Sequence, residues 1–252
     1  MQSAQAPRRV IIVGTGTGVG KTHVGCAVLR RLRARGTLVV GLKPVETGLA
    51  AGSVSDHARL QAAAAGIGSL VDDSEAFHVK RSDRLFHVKP SPYWFGPPLS
   101  PHLAAREAGQ RIDLACIRSW VLGAQGARAS RIAVVETAGG LFSPLDPAAT
   151  NLDLVAALRP ASTVLVAPDR LGVLHEVTAA LGLAAARGHA MDAVALSQPE
   201  TPDRSTGRNA DELARLQIAV VRAVFPWASE SAAATEDQAD RLLRWLFPSA
   251  PA

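Results

Sequence analysis

The chain has 252 residues, 48% of them hydrophobic, with a formal net charge of +5. This composition supports one large core, and we predict a single domain over residues 1–252 with residues 1–8 flexible. The polar start lacks a secretory signal, and no apolar run reaches the about 18 residues needed to cross a bilayer, so we expect a cytoplasmic protein without a membrane partner. Basic residues are interspersed with acidic ones, which argues against nucleic acid as a partner.

In chain order, the apolar residues alternate between the periods of strands and helices. Residues 66–98 have no clear period and are predicted to be irregular. A repeating strand–helix chain predicts an α/β fold, with a mostly parallel sheet flanked by helices. We predict strands at 10–13, 38–42, 132–135, 163–167 and 193–196, and helices at 21–35, 56–65, 101–109, 113–126, 151–158, 174–187, 210–217 and 237–246.

A glycine-rich turn follows the first strand directly: residues 14–22 read Gly-Thr-Gly-Thr-Gly-Val-Gly-Lys-Thr. The strict phosphate-loop spacing would place a glycine at position 15, where this chain has Thr15. Such a turn at a helix start lets backbone N–H groups converge on an anion, while Lys21 adds a charge and Thr22 a hydroxyl for Mg²⁺. The segment therefore predicts a binding site for nucleotide phosphates, and together with the α/β pattern it predicts a fold like that of the P-loop NTPases.

Lysine is rare in this chain: four of its 27 basic residues are lysines. Lys43 follows the second strand and precedes Pro44. A lysine where arginine is the usual cation indicates a need for a compact, flexible ammonium. We therefore predict that Lys43 lies at the carboxyl edge of the sheet in the active site; the alternative is a surface lysine lying along apolar neighbours.

Two carboxylates occupy comparable positions. Ser55-Asp56 begins a helix, and Glu136 ends the third strand before Thr-Ala-Gly-Gly. Ligands of open parallel sheets bind at the carboxyl edge, and hydroxyl and carboxylate oxygens suit Mg²⁺. Thr22, Asp56 and Glu136 are thus candidate magnesium ligands, although Asp56 is equally explained as a helix-start residue favoured by the helix dipole.

Two other features were candidates for chemistry. Phe77-His78-Val79-Lys80 recurs as Phe86-His87-Val88-Lys89, and the histidines lack carboxylate or thiol companions, so this repeat is interpreted as a hairpin or a mobile insertion and not as a metal site. Cys26 and Cys116 lie in apolar helical patterns without a C-x-x-C spacing, which predicts inert, buried thiols in a reducing compartment.

Taken together, the motifs resemble the dethiobiotin synthetase family, and they follow the order found in that family over most of the chain. The phosphate loop with its extra residue is the family's own version. The matching segments are G-T-x-T-x-V-G-K-T at 14–22, K-P-V-x-T-G at 43–48, Ser55-Asp56, S-P-H-L-A-A at 100–105, E-x-A-G-G at 136–140 and Leu171-Gly172.

The resemblance implies an ATP-dependent cyclo-ligase that converts diaminopelargonic acid, CO₂ and ATP to dethiobiotin, ADP and phosphate, as a homodimer. It makes Lys43 and Lys21 catalytic, Thr47 a substrate contact, and Thr22, Asp56 and Glu136 the Mg²⁺ ligands. The nucleotide contacts that it implies are Gly18, Val19, Gly20, Lys21, Thr22, His23, Asp56, Glu136, Thr137, Ala138, Gly139, Ser197, Gln198, Pro226 and Trp227.

The chain departs from the family pattern at Gly16, at Thr137, at 173–176, and at Ser197-Gln198, where members often present Asn-Asp to the base. Use of another nucleoside triphosphate therefore stays open. Two other functions stay open as well. One is a nucleotide-switched ATPase that binds a partner protein, although residues 14–20 lack the second lysine usual in that group; the other is a paralogue acting on another diamine or carboxylate.

Overall fold

The computed structural model describes residues 8–49, 53–67, 78–81, 84–87, 90–126, 131–159, 162–227 and 232–248. Of the start predicted to be flexible, only Arg8 falls in these ranges. Phe77, Val88 and Lys89 of the repeat lie outside the described residues.

Strands and helices alternate along most of the described chain. The strands are β1 (Arg9–Gly14), β2 (Val39–Leu42), β3 (Val45–Thr47), β4 (His78–Arg81), β5 (Arg84–His87), β6 (Tyr93–Phe95), β7 (Ile132–Glu136), β8 (Ser162–Pro168), β9 (Ala193–Ser197) and β10 (Val221–Phe225). The helices are α1 (Lys21–Ala34), α2 (Asp56–Ala65), α3 (Pro101–Glu107), α4 (Leu114–Gln125), α5 (Asn151–Leu158), α6 (Val173–Ala186), α7 (Asn209–Arg215) and α8 (Ala232–Leu246).

A six-stranded sheet forms the centre, in the order β10-β9-β8-β1-β7-β2. Each neighbouring pair in it is parallel, and β1 lies between β7 and β8. Its inner strands are rich in Val, Ile and Ala and are buried on both faces, as expected of a sheet covered by helices. The predicted, mostly parallel α/β fold is confirmed.

The side chains of β1 alternate between two apolar cores. Val10 and Ile12 point into a core that α1, α2 and α8 cover, whereas Ile11 and Val13 point into a core that α3 to α7 cover. Because both faces are packed, the carboxyl ends of the strands and the loops that follow them form the accessible edge of the sheet. Among the described residues no helix is long and apolar enough to span a membrane.

Several elements differ from the sequence-based expectations. Residues 66–98 contain the antiparallel hairpin of β4 and β5 and also β6, which pairs in parallel with β3. The hairpin interpretation of the repeat is thus confirmed for its described residues. Strands β3 and β6 have three residues each, too few for a period to show.

One strand was missed, and two further expectations were wrong. Strand β10 was not predicted, because it lies at the sheet edge and Arg222 interrupts its apolar pattern. Helix α8 begins at Ala232 instead of residue 237, since its first turn is alanine-rich and exposed. Cys26 is buried as expected, but Cys116 is exposed, on the outer side of α4.

Candidate functional site

The segment between β1 and α1 folds as a tight loop over the carboxyl edge of the sheet. Gly18 and Gly20 have φ angles of 71° and 91°, in the left-handed region that favours glycine. The Thr15 amide donates to the Val166 carbonyl of β8 at 2.9 Å, which anchors the start of the loop. The loop thus opens at the N-terminus of α1, where an anion meets unpaired N–H groups and the positive end of the helix dipole.

A cleft of about 640 Å³ lies above this loop. Its walls combine the loop with segments that follow β2, β6, β7 and β10 and with the start of α2. The residues that line it are Thr17, Gly18, Val19, Gly20, Lys21, Thr22, His23, Lys43, Thr47, Asp56, Arg59, Pro98, Leu99, Ser100, Pro101, Glu136, Ala138, Gly139, Ser143 and Trp227.

Lys21 lies at the base of the cleft, with its ammonium donating to the Gly16 carbonyl at 2.6 Å. Burial lowers the pKa of Lys21 to about 8, although the negative charge of Glu136 acts in the opposite direction. The side chain therefore loses its proton more readily than a lysine in water, and an anion beside it would favour the charged form.

This lowered pKa predicts a pH dependence with opposite signs for folding and for nucleotide binding. In the unfolded chain the pKa of a lysine side chain is about 10.4. Between the two pKa values the unfolded state binds more protons, so the contribution of Lys21 to stability rises with pH.

Nucleotide binding should show the opposite trend, because a phosphate requires the charged ammonium of Lys21. We expect the Kd for Mg²⁺-ATP to be about tenfold higher at about pH 9 than at about pH 7. Isothermal titration calorimetry at the two pH values measures this change in Kd. Lys21→Met should bind weakly without this pH step, and a flat wild-type profile would contradict the prediction.

Lys43 and two carboxylates form a cluster beside Lys21. The Lys43 ammonium contacts Asp56 Oδ2 and lies 2.8 Å from Glu136 Oε1. The Thr22 hydroxyl donates to the same Glu136 oxygen at 3.0 Å. The side chains that the sequence placed at separate strand and helix ends are thus in direct contact.

The electrostatics of this cluster favour a charged lysine. Burial lowers the pKa of Lys43, but the negative charges of Glu136 and Asp56 outweigh it, and the pKa is raised above its usual value. Glu136 is 1% exposed, and its Oε2 has no hydrogen-bond partner among the described residues. A buried carboxylate oxygen without a donor is costly, so this position favours a further cation or donor.

Glu46 supports the cluster from below and was not predicted from the sequence. Its carboxylate accepts hydrogen bonds from the backbone N–H groups of Asp56 at 2.5 Å and His57 at 3.3 Å. These amides begin α2 and have no partner within the helix. Burial raises the pKa of Glu46, and the charge of Lys43 opposes this shift. Glu46 thereby fixes the position of Asp56 beside Lys43.

Replacing Glu46 should loosen the start of α2. We expect Glu46→Ala to lower the free energy of unfolding by about 1–2 kcal/mol, as loss of a helix cap does. Hydrogen exchange at the Asp56 and His57 amides should become faster. Glu46→Gln keeps one acceptor oxygen, so its free energy of unfolding should lie between those of the wild type and Glu46→Ala. Urea unfolding with exchange mass spectrometry checks this, and unchanged exchange at both amides in Glu46→Ala would refute the capping role.

A second group of predicted residues lies around the ends of β9 and β10. The His23 ring packs edge-on against Phe225, with centroids 6.0 Å apart. Burial lowers the pKa of His23, although the Pro226 backbone acts to raise it. The Nε2 atom of His23 has no hydrogen-bond partner among the described residues. Trp227 follows directly and lines the cleft.

A protein family described as AAA domain matches residues 8–235. The ATP-dependent dethiobiotin synthetase BioD of Anaeromyxobacter dehalogenans (strain 2CP-C) is 38% identical over 229 residues, covering 89% of this chain and 92% of the relative. That of Caulobacter sp. (strain K31) is 36% identical over 199 residues, covering 77% and 78%.

The chain belongs to the dethiobiotin synthetase family. The predicted family is therefore confirmed, together with its class of ATP-dependent ligases.

Solved structures of other P-loop proteins share the fold of this dethiobiotin synthetase family member. The MinC:MinD cell division protein complex of Aquifex aeolicus aligns with a TM-score of 0.56 at 12% identity, over 97% of this chain and 98% of that chain. A ParA family ATPase from Chlorobium tepidum TLS aligns with a TM-score of 0.51 at 14% identity, over 98% and 94%. At such identities the likeness shows the fold alone, and it agrees with the predicted P-loop architecture.

Most of the residues that the dethiobiotin synthetase resemblance indicated line the cleft, but some do not. Thr137 is buried, and both its amide and its hydroxyl donate to the Ile12 carbonyl, so its side chain faces the sheet. Ser197 is buried behind Gly20, and the Gln198 amide donates to the Phe225 carbonyl at 2.9 Å. These three residues and Pro226, which was also predicted as a nucleotide contact, are not among those that line the cleft.

Four polar residues of the cleft lining were not predicted as site residues. Thr17 and Ser100 lie within the motifs that match the family, whereas Arg59 and Ser143 lie outside them. Arg59 lies one turn after Asp56 on α2, and this spacing of three residues on one helix face could have indicated it. Ser143 accepts a hydrogen bond from the Gly140 amide at 2.9 Å and shapes the loop after β7. No regular pattern in the sequence marks Ser143.

Proposed function

We propose that this chain catalyses the reaction after which its family is named: diaminopelargonic acid, CO₂ and ATP give dethiobiotin, ADP and phosphate. The observation that carries the proposal is the convergence of the phosphate loop, Lys21, Lys43 and the carboxylates of Asp56 and Glu136 on one cleft. Two ammonium groups and a cation site beside a phosphate loop suit a reaction between anions.

The triphosphate is proposed to lie on the loop from Gly16 to Gly20, over the N-terminus of α1. Lys21 at its base neutralises phosphate charge. The base end is proposed to lie toward His23 and Trp227, which line the cleft. Ser197, Gln198 and Pro226 hold the segments beneath them, so their part in nucleotide recognition is indirect.

Mg²⁺ is proposed to bind at Thr22, Asp56 and Glu136. The oxygens of these side chains are hard ligands, and the unpartnered Glu136 Oε2 calls for a further cation or donor, so the residues fit the ion. Mg²⁺ usually keeps several waters and is held by one or two carboxylates together with substrate phosphates, so two carboxylates and a hydroxyl are sufficient protein ligands. When bound, the ion would neutralise charge on the transferring phosphoryl group.

The reaction takes three steps. One substrate amine attacks CO₂, forming an N–C bond and losing a proton, which gives a carbamate. A carbamate oxygen attacks the γ-phosphorus, and the bond from that phosphorus to the β–γ bridging oxygen breaks to release ADP. The second amine then attacks the carbamoyl carbon and loses a proton, the C–O bond breaks, phosphate leaves and the cyclic urea closes. Lys43 and Lys21 hold the carbamate and the phosphoryl group together against their mutual repulsion.

Other expectations remain proposals. Thr47 is proposed as a substrate contact because it lines the cleft and directly follows Glu46 in β3. We also propose a homodimer, which the family resemblance implies. Light scattering tests the dimer. A single domain over residues 1–252, a cytoplasmic location and no nucleic-acid partner stay predictions.

The test is phosphate release by the purified protein with Mg²⁺-ATP and bicarbonate, with and without diaminopelargonic acid. Dethiobiotin is followed by mass spectrometry, and CTP and GTP replace ATP in parallel. Product that forms only with the diamine and bicarbonate supports the proposal and ranks the nucleotides. A rate of nucleotide hydrolysis that is the same with and without the diamine, with no dethiobiotin formed, would overturn the proposal. It would favour a nucleotide-switched ATPase or a paralogue with another substrate.

A further inference from the structure

Thr15 begins the phosphate loop at a position where the strict motif has glycine, and its side chain makes a contact of its own. The Thr15 hydroxyl donates to Glu176 Oε2 at 2.9 Å, across 161 residues of sequence. Glu176 lies in the first turn of α6, where the helix dipole favours a carboxylate. Its other oxygen, Oε1, accepts from Arg170 at 3.1 Å.

The segment that carries Arg170 is itself held rigidly. The Asp169 amide donates to the Ser197 carbonyl at 2.8 Å. The Asp169 carboxylate is buried and accepts hydrogen bonds from the Gly207 amide and the Asn209 side chain at 2.8 and 2.7 Å. Glu176 therefore contacts the phosphate loop from a fixed support and not from a free surface side chain.

The loop needs such a support for a physical reason. Four of the seven residues from Gly14 to Gly20 are glycines, which lose much conformational freedom when they are ordered. A nucleotide binds more tightly when its N–H donors are already oriented, because less ordering remains to be done on binding. A hydrogen bond from Thr15 to a charged carboxylate orders the start of the loop without touching the phosphates.

We propose, on the basis of the proposed placement of the triphosphate, that Glu176 is a positioning residue for nucleotide binding. Thr15, Glu176 and Arg170 form a brace, which we call the α6 brace, that holds the phosphate loop in its binding shape. The brace acts on affinity for the nucleotide and leaves the groups that carry the chemistry in place.

Single substitutions should separate this role from catalysis. We expect Thr15→Val and Glu176→Ala each to raise the Kd for Mg²⁺-ATP about tenfold, measured by calorimetry without diamine. The kcat at saturating nucleotide should change less than about threefold, because the reacting groups are untouched. Glu176→Gln keeps an oxygen acceptor for Thr15 and should stay within about threefold of the wild-type Kd.

The double variant and a control test the mechanism. If both side chains act through one hydrogen bond, Thr15→Val with Glu176→Ala should bind no more weakly than the worse single variant. Glu212→Ala is the matched control, since this exposed glutamate of α7 pairs with Arg215 and lies outside the cleft lining. The control should leave the Kd unchanged. Effects that multiply to about 100-fold in the double variant would overturn the shared bond.

Hydrogen exchange of the ligand-free protein supplies a readout that does not depend on the reaction. The amides of residues 14–20 should exchange faster in Glu176→Ala than in the wild type or in Glu212→Ala, while the core strands stay equally protected. The brace would be overturned if residues 14–20 of Glu176→Ala exchanged as slowly as those of the wild type. A Kd of Glu176→Ala within about twofold of the wild-type Kd would also overturn it. A wild type that binds ATP but makes no dethiobiotin would refute the proposed reaction and leave this comparison intact.

Discussion

Replacing Lys43 by methionine should lower the rate of dethiobiotin formation by about 10²–10³-fold or more, the range seen when one preorganised charge-stabilising donor is removed. The Lys43 ammonium is the group that lies between Asp56 and Glu136 and faces the cleft. Methionine keeps an unbranched side chain as far as the Cε position and removes the ammonium with its charge and its donors. The Kd for Mg²⁺-ATP should change much less than kcat, because Lys21 and the loop remain.

The same change should also lower stability. Without Lys43, the buried Glu136 carboxylate loses its cation, and removal of one partner of a buried pair costs about 3–5 kcal/mol. Asp56 is partly exposed, so its share of this cost is small. Circular dichroism and thermal unfolding should therefore show a folded protein with a lower Tm. Arg215→Met, on an exposed cation of α7, is the matched control and should change neither rate nor Tm appreciably. A Lys43→Met rate within about tenfold of the wild type would exclude Lys43 from the chemistry.

The convergence of Thr22, Lys43, Asp56 and Glu136 could be predicted from the sequence for a topological reason. In a parallel sheet the carboxyl ends of all strands lie at one edge, so a residue that ends a strand or begins the next helix is brought there whatever its distance along the chain. The glycine-rich turn marked the same edge independently. Strand and helix ends therefore indicated one cleft for these side chains, and the family resemblance decided the roles of Lys43 and Asp56, for which a surface lysine and a helix-start residue had stayed open.

Glu46 and Glu176 could not be predicted in this way. Glu46 lies in a three-residue strand and resembles an exposed acid until α2 packs over it and presents two N–H groups. Glu176 meets Thr15 only because β8 lies beside β1 in the sheet, an order that the local pattern does not reveal. Thr137 shows the converse, since its place in a conspicuous motif indicated the cleft although its hydroxyl faces the strand. Contacts that depend on strand order or on orientation need the folded structure.

Gly20→Ala is the second change for which we expect a large effect, a loss of Mg²⁺-ATP affinity of about 100-fold or more. A methyl group at position 20 would overlap the Ser197 hydroxyl and lie 2.5 Å from its Cβ. The φ of 91° adds strain of about 1–2 kcal/mol for any residue with a side chain. Overpacking costs about 1–3 kcal/mol more, and the loop can relieve it only by moving its N–H groups away from the phosphates.

A second substitution separates the two causes of this loss, which are the overlap with Ser197 and the backbone strain at Gly20. Ser197→Gly removes the atoms that the new methyl group meets and leaves the φ strain, so the double variant should regain about tenfold in affinity over Gly20→Ala. Gly36→Ala measures the φ strain by itself, because Gly36 has a φ of 76° and a methyl group there would have no heavy atom within 4 Å. It should lower stability by about 1 kcal/mol and leave nucleotide affinity unchanged. If Gly20→Ala binds ATP normally, or if Ser197→Gly restores nothing, close packing of Gly20 against β9 does not set the shape of the phosphate loop.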